Sequence, residues 1–452
     1  MVDVRAVLRA AATEVRETLS ASSDQYTRAS AVLPRGGSRS RFWWPMPIYA
    51  QSAQGAYVED IDGRRYIDCN LGFGPMILGH AHPAVSDALE AQLRKSVLYG
   101  AACVQEAELA QMLVDNIPGA ERAVFVNSGT EATMTAIRIA RAATGRDAVA
   151  KFEGGWHGHQ DFLFHSFAST QGEPSAAVAV PEMAGIPEAV SATVVVLPFN
   201  DEAAFERIRR ERDRLACVIV EAVQGGAGSL PADREFLTAL RAVCDECGVL
   251  LVLDEVITGF RLGPAGAAGL YEVTPDLVTV GKVVGGGLPV GGVVGRGELI
   301  DLAASTPGGR PSVVAAGTFA GNPMTMVAGI AQLSTLLGDP ESYSRLDAMG
   351  RRMREGISAR LQELEITGWV TGLGSMWGLH FSPARPRSVR DLAHDNQEAS
   401  RLLAAYLLLD GVLMSSPVHL GFLSTAHSDE DVDMVITAHG RALKRMKDEA
   451  CV

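Results

Sequence analysis

Lys282 lies in the phrase DLVTVGKVVGGGLPVGG, directly after an apolar run and before a glycine-rich stretch. The basic residues of this chain are almost all arginines: of 40, only Lys95, Lys151, Lys282, Lys444 and Lys447 are lysines. An ammonium in an apolar setting loses hydration and with it part of its hold on a proton. A lysine that sheds its proton near neutral pH is the nucleophile Schiff-base chemistry needs. Taken alone, the context equally allows a strand-end lysine whose stem covers apolar surface while its head reaches water. Asp254 ends the apolar run VLLVLDE. An acid at the carboxyl end of a buried parallel strand stands where open α/β sheets bind ligands. Such a carboxylate can hold a protonated pyridine-type nitrogen and keep the ring an electron sink. Glu255 beside it would serve as well in isolation, and a buried acid capping a loop is the plain alternative. In NSGTEATMTAIRIA, Ser128, Gly129 and Thr130 open an amphipathic helical pattern. Backbone N–H groups at such a start suit a phosphate, although an ordinary N-cap has the same signature. There is no Walker pattern, since Val283 follows Gly281-Lys282, and no glycine fingerprint for a dinucleotide follows the first strand.

These residues need a frame. Short apolar runs predict strands at 122–126, 148–152, 193–198, 216–222, 249–255, 276–281 and 290–295. Helical patterns such as GTEATMTAIRIARAAT and DREFLTALRAVCDEC lie between many of them. The alternation predicts an α/β domain whose sheet is buried on both faces. GAYVEDIDGRRYIDC reads as a hairpin turning at Asp62-Gly63. Before it, a polar helix (MVDVRAVLRAAATEVRETL) opens a stretch that is otherwise irregular to about Pro47. The boundaries drawn are 1–82 for an N-terminal segment contributing to a small domain and the site entrance, 83–330 for a large domain, and 331–452 for the C-terminal small domain.

Composition excludes some functions. A net charge of −13 argues against a nucleic-acid binder. No run approaches the roughly 18 apolar residues of a membrane span, and Asp3, Arg5, Arg9 and Glu14 break any secretory core. Six cysteines in a chain of this length fit reduced thiols in the cytoplasm. The pair Cys244 and Cys247 lies on a helical pattern with no second pair to complete a zinc site. His157 and His159 flank a glycine without a nearby ligand set, so no metal is expected.

The order of NSGTEA, EGGWHGH, LDEVITGFR, VGKVVGGGLPVGG and GTFAGNP closely resembles that of the class III pyridoxal-phosphate aminotransferases. The resemblance runs from about Pro34 to about Asp433 and is strongest to the glutamate-1-semialdehyde aminomutase and β-amino acid aminotransferase branches. It implies a fold type I transferase: a large α/β domain with a mostly parallel seven-stranded sheet, plus a smaller α+β domain. It implies pyridoxal 5′-phosphate as cofactor, bound to Lys282 as a Schiff base, with Asp254 at the ring nitrogen and Ser128, Gly129 and Thr130 around the phosphate. Trp156 and Val256 would pack on the two ring faces, and Glu221 and Gln224 would lie near the ring hydroxyl. Thr318 would reach the phosphate of a neighbouring subunit, making the enzyme a homodimer with shared sites. The partners implied are a small-molecule amino donor and a keto or aldehyde acceptor.

Departures from the family pattern bear on the substrate. The aminomutase clamps its substrate carboxylate with an arginine that aligns with Trp43 here, and its C-terminal glutamate aligns with His419. GGSRS resembles instead the phrase in β-amino acid aminotransferases whose arginine, matched by Arg39, binds a carboxylate. The expected activity is therefore amino transfer between a carboxylate-bearing substrate, β-amino and aromatic ones included, and a keto acid or aldehyde. An aminomutase or epimerase on the same scaffold is the alternative. A catalytically silent relative is disfavoured because Lys282 and Asp254 are both intact.

Overall fold

A computed structural model describes residues 4–39, 43–304, 313–415 and 420–452. Seven strands form the central sheet, in the order Arg122–Val126, Gly291–Gly295, Leu277–Gly281, Leu250–Asp254, Leu215–Val220, Ala148–Phe152, Val194–Leu197. All seven predicted strands are present. Only Gly291–Gly295 runs antiparallel to its neighbours; the other pairings are parallel.

Side chains alternate across each strand, and here both faces are apolar. Val149, Ile219 and Val252 face the helix Gly129–Thr144, together with its Ala136 and Ile139. Ala150, Val218, Leu251 and Leu253 face the opposite way, against Phe236 and Leu240 of the helix Arg234–Cys247. The same parity carries past the strand ends. Lys151, Glu221 and Asp254 fall on the side of Gly129–Thr144, whereas Glu255 falls on the other.

The remaining elements are shared between the two ends of the chain. Ala50–Gln54, Tyr57–Asp60 and Arg65–Asp68 form an antiparallel meander. Val412–Leu413 joins it in parallel beside Arg65–Asp68. A second small sheet pairs Trp369–Thr371, Met376–His380 and Gly421–Phe422. Ala11, Val15 and Leu19 of the N-terminal helix share one apolar cluster with Leu402, Ala405, Leu443 and Met446 near the C-terminus. Both ends thus build one unit, and we propose the same boundaries, near residues 83 and 330.

The expectation of an irregular N-terminal stretch needs correction. A second helix, Ser20–Ser30, follows Val4–Thr18. Its start is capped from afar: the Asp62 carboxylate accepts the N–H groups of Ala21 (2.7 Å) and Ser22 (2.9 Å). No local pattern encodes such a cap. Among the described residues no helix is long and apolar enough to cross a membrane.

Candidate active site

The carboxyl ends of the central strands open into a cavity of about 600 Å³. Its walls include Ser128, Gly129, Thr130, Trp156, His157, Glu221, Asp254, Val256 and Lys282, with Arg39 at the mouth. Ser128 is the N-cap of Gly129–Thr144, and its hydroxyl accepts the N–H of Glu131 at 3.2 Å. This leaves the first-turn amides of Gly129 and Thr130 for an anion. Two glycines keep that cradle open. A Cβ on Gly129 would lie 2.8 Å from Val256 Cγ1, and one on Gly158 would lie 2.3 Å from Thr130 Oγ1.

Asp254 Oδ1 accepts from Thr279 Oγ1 (3.0 Å) and from the N–H of Val256 (3.1 Å). Its Oδ2 lies 2.7 Å from His157 Nδ1. Burial pushes the His157 pKa down, against the pull of the Asp254 carboxylate. Facing a carboxylate, Nδ1 acts as the donor, while Nε2 is buried without a partner. This contact escaped the sequence reading; the only signal was a histidine next to Trp156. Glu255 is excluded from the ring-nitrogen role. Its carboxylate accepts from Thr258 Oγ1 (2.7 Å) and from the N–H groups of Ala267 (2.9 Å) and Ala268 (2.7 Å), capping the helix Gly266–Tyr271 on the far face.

Lys282 follows Gly281 with φ +45°, a left-handed conformation. For a lysine this costs about 1–2 kcal/mol, the kind of strain that collects at functional sites. Burial lowers its pKa; Asp254 and Glu221 oppose this and Arg261 adds to it. Arg261 is wholly buried with no carboxylate partner among the described residues. Its guanidinium donates to Ser375 Oγ (2.9 Å), Leu423 O (3.1 Å) and Gly74 O, and lies over the Phe422 ring. Glu221 is pushed up to about 8, first by burial and then by the charge of Asp254.

Trp156 lies edge-on to Phe164 and Phe167, at 5.3 and 4.9 Å between ring centroids. The exposed Arg39 stands over the Phe73 ring at 5.8 Å. Other expected residues lie away from the cavity. Gln224 is behind the wall, donating to Glu153 O at 2.7 Å with its Oε1 unpartnered. Trp43 packs against the large apolar cluster and is not among the lining residues. Thr318 is exposed in a turn at 318–321. His419 lies outside the described residues. His159 is exposed, and no group of metal-ligating side chains occurs among the described residues.

A parallel-sheet mouth with a desolvated lysine, a buried carboxylate and an open helix start defines a pyridoxal-phosphate enzyme of fold type I. The model of the family Aminotransferase class-III matches residues 41–413, and the chain belongs to that family, whose cofactor is pyridoxal 5′-phosphate. The chain is 39% identical over 429 residues to a glutamate-1-semialdehyde 2,1-aminomutase of Methanothermobacter thermautotrophicus, covering 94% of this chain and 99% of that one. Among solved structures it resembles an omega-transaminase from Sphaerobacter thermophilus (37% identity, TM-score 0.88, 94% and 97% of the two chains). It also resembles a β-phenylalanine aminotransferase from Variovorax paradoxus (30% identity, TM-score 0.88, 98% of each chain).

Proposed function

We propose that this enzyme is an aminotransferase working between a carboxylate-bearing amine, β-amino and aromatic ones included, and a keto acid or aldehyde. When bound, the cofactor supplies an electron sink for the bonds of the amine-bearing carbon. Lys282 Nζ would be the attachment point for the cofactor's carbonyl carbon, and its free amine would hold and move the proton between the substrate's amine-bearing carbon and the cofactor. Asp254, held by Thr279 and oriented against His157, would keep the ring nitrogen protonated. Gly129 and Thr130 would donate backbone N–H groups to the phosphate, with the Ser128 and Thr130 hydroxyls beside them. Trp156 and Val256 would bound the ring from its two faces, and Glu221 would lie at its hydroxyl edge. The free thiols support a reducing, cytoplasmic setting.

The observation that carries the substrate reading is Arg39 at the mouth of a cavity whose floor holds Lys282 and Asp254. A planar guanidinium meets a carboxylate through two parallel hydrogen bonds. Loss of such a contact is expected to lower kcat/KM for an acidic donor by roughly ten- to a hundredfold in Arg39→Ala, with Arg39→Lys between. A matched donor lacking the carboxylate should be much less affected. Equal losses for both donors would remove Arg39 from the carboxylate site.

The 39% identity to an aminomutase favours a second reading, in which the amino group moves within one molecule. Glutamate 1-semialdehyde supplied without any keto acid separates the two. Rapid, complete isomerisation to 5-aminolevulinate would establish the mutase.

We further propose a homodimer with shared sites. Thr318 sits in an exposed turn beside Phe319, which is 61% exposed, and Val314, 64% exposed. That turn packs near the start of the helix Val104–Asn116, where Cys103 Sγ reaches Gly321 O at 3.5 Å; Val104 is also exposed. An apolar face of this kind fits a second copy. Mixing inactive Lys282→Ala and Thr318→Ala subunits should then restore about a quarter of wild-type activity, through mixed dimers that each hold one intact site. Absence of recovery after subunit exchange would count against shared sites.

A further inference from the structure

Trp156 is held by one peptide group gripped from both ends. The carbonyl of Gly155 accepts from Lys151 Nζ at 2.9 Å. The N–H of Trp156, part of the same peptide unit, donates to Glu221 Oε2 at 2.7 Å. In a trans peptide these two groups point in opposite directions, so a lysine and a glutamate clasp a single plane from its two sides. Both are deeply buried, Lys151 at 0% and Glu221 at 3% exposure. The parity of their strands brings them to the same face of the sheet, beneath the cavity. Lys151 also donates to His165 O, which ties the far end of the loop to the same nitrogen.

Lys151 has no direct ion pair among the described residues. The acids that act on it through space are Glu221, Glu182 and Glu153. Glu153 is engaged by Arg390, and Glu182 by the N–H groups of Ala168 and Ser169. Glu221 is thus the acid that connects to Lys151 through a covalent bridge. Donation to the carbonyl and acceptance from the N–H polarise the peptide in the same sense, and each strengthens the other in a low-dielectric setting. Burial pushes the Lys151 pKa down, opposed first by the charge of Glu221, and pushes the Glu221 pKa up.

We propose that Lys151 is a positioning residue for the reaction: through the Gly155–Trp156 peptide, Lys151 and Glu221 together fix the Trp156 indole as a wall of the cofactor pocket. This rests on reading Trp156 as a ring-facing residue and is independent of whether the enzyme transaminates or isomerises. The adjacent His157, fastened to Asp254 and through its carbonyl to Thr133 Oγ1 at 2.8 Å, is aligned by the same anchor.

The test is Lys151→Met, which keeps the apolar stem and removes the charge. In the cofactor-free protein, amide hydrogen exchange at Trp156 is expected to accelerate about tenfold, because local opening becomes easier once the peptide unit loses the hydrogen bond at its Gly155 carbonyl. In the loaded enzyme the visible circular dichroism of the cofactor should change. The value of kcat should fall by about tenfold, while KM for the amino donor moves less than about threefold. Wild-type exchange at Trp156 together with a wild-type dichroic band would overturn the proposal, whatever the activity. If Lys151→Met does not fold, Glu221→Gln replaces it, because an amide oxygen can still accept from Trp156 N–H but the charge is gone. Exchange at Trp156 in the cofactor-free protein should then rise by about threefold; an unchanged value would equally overturn the proposal.

Discussion

Borohydride treatment of the purified, yellow enzyme is expected to bleach it and leave the cofactor covalently fixed to Lys282. The structure narrows the alternatives among five lysines. Lys95, Lys444 and Lys447 are exposed, and Lys444 is paired with Asp448. Lys151 is the serious competitor, because it too is buried with a lowered pKa. Its amine, however, is spent on two backbone carbonyls and does not line the cavity. Lys282 does, and it stands on the same cavity wall as Asp254. Lys282→Ala removes both the attachment point and the proton carrier. It should lower turnover by at least about 10⁴-fold, the upper range for loss of a positioned acid–base group. Thermal stability should change little, since the native φ of +45° is strained for the side chain removed as well as for its replacement. A peptide map that places the reduced adduct on Lys151, or on no lysine, would defeat the assignment.

Asp254→Asn should retain the fold and much of the bound cofactor while losing about 10²–10³-fold in kcat, as expected when a preorganised charge is removed from a buried site. The loss has two sources. A neutral amide cannot keep the ring nitrogen protonated. The amide also disturbs His157. At present the Nδ1–H of His157 points at the carboxylate, 2.7 Å away. An asparagine offers Nδ1 one acceptor atom in place of a charged oxygen, and that weakens the hold on the ring. Near-normal turnover would transfer the role to another acid. Glu255 is already committed to Thr258, Ala267 and Ala268, which leaves Glu221 as the remaining acid on the cavity wall.

The strands that build the site were legible because a sheet buried on both faces writes uninterrupted Val, Leu and Ile runs into the chain. The helix Gly129–Thr144 was legible because its cap, first-turn glutamate and apolar stripe are all local. The choice between Asp254 and Glu255 was not. It depends on which face of the sheet each side chain reaches, and in a strand apolar on both faces the sequence carries no mark of face. The His157–Asp254 and Lys151–Gly155 contacts were hidden for a related reason, since each joins segments through space with no periodic signature. Gln224 illustrates the converse. Its motif neighbours Glu221, but Gln224 lies in the short strand Val223–Gln224, where its amide donates to Glu153 O and does not line the cavity.

The pairing of Val412–Leu413 with Arg65–Asp68 also constrains how the chain acquires its shape. Tyr57 OH donates to Asp431, a partner 374 positions away, and Arg64 donates to Leu409 O across 345 positions. The central sheet, by contrast, draws its strands from residues 122 to 295 alone. During synthesis from the N-terminus, that sheet can collapse while the last third of the chain is still being made. The meander that precedes it must wait with an unpaired edge, because its fourth strand is among the last segments to emerge. Closing a loop of that length is entropically slow, and an open edge strand invites pairing with other chains. The order of assembly is therefore the reverse of the order of the sequence at its beginning: the first strands made are among the last to be locked.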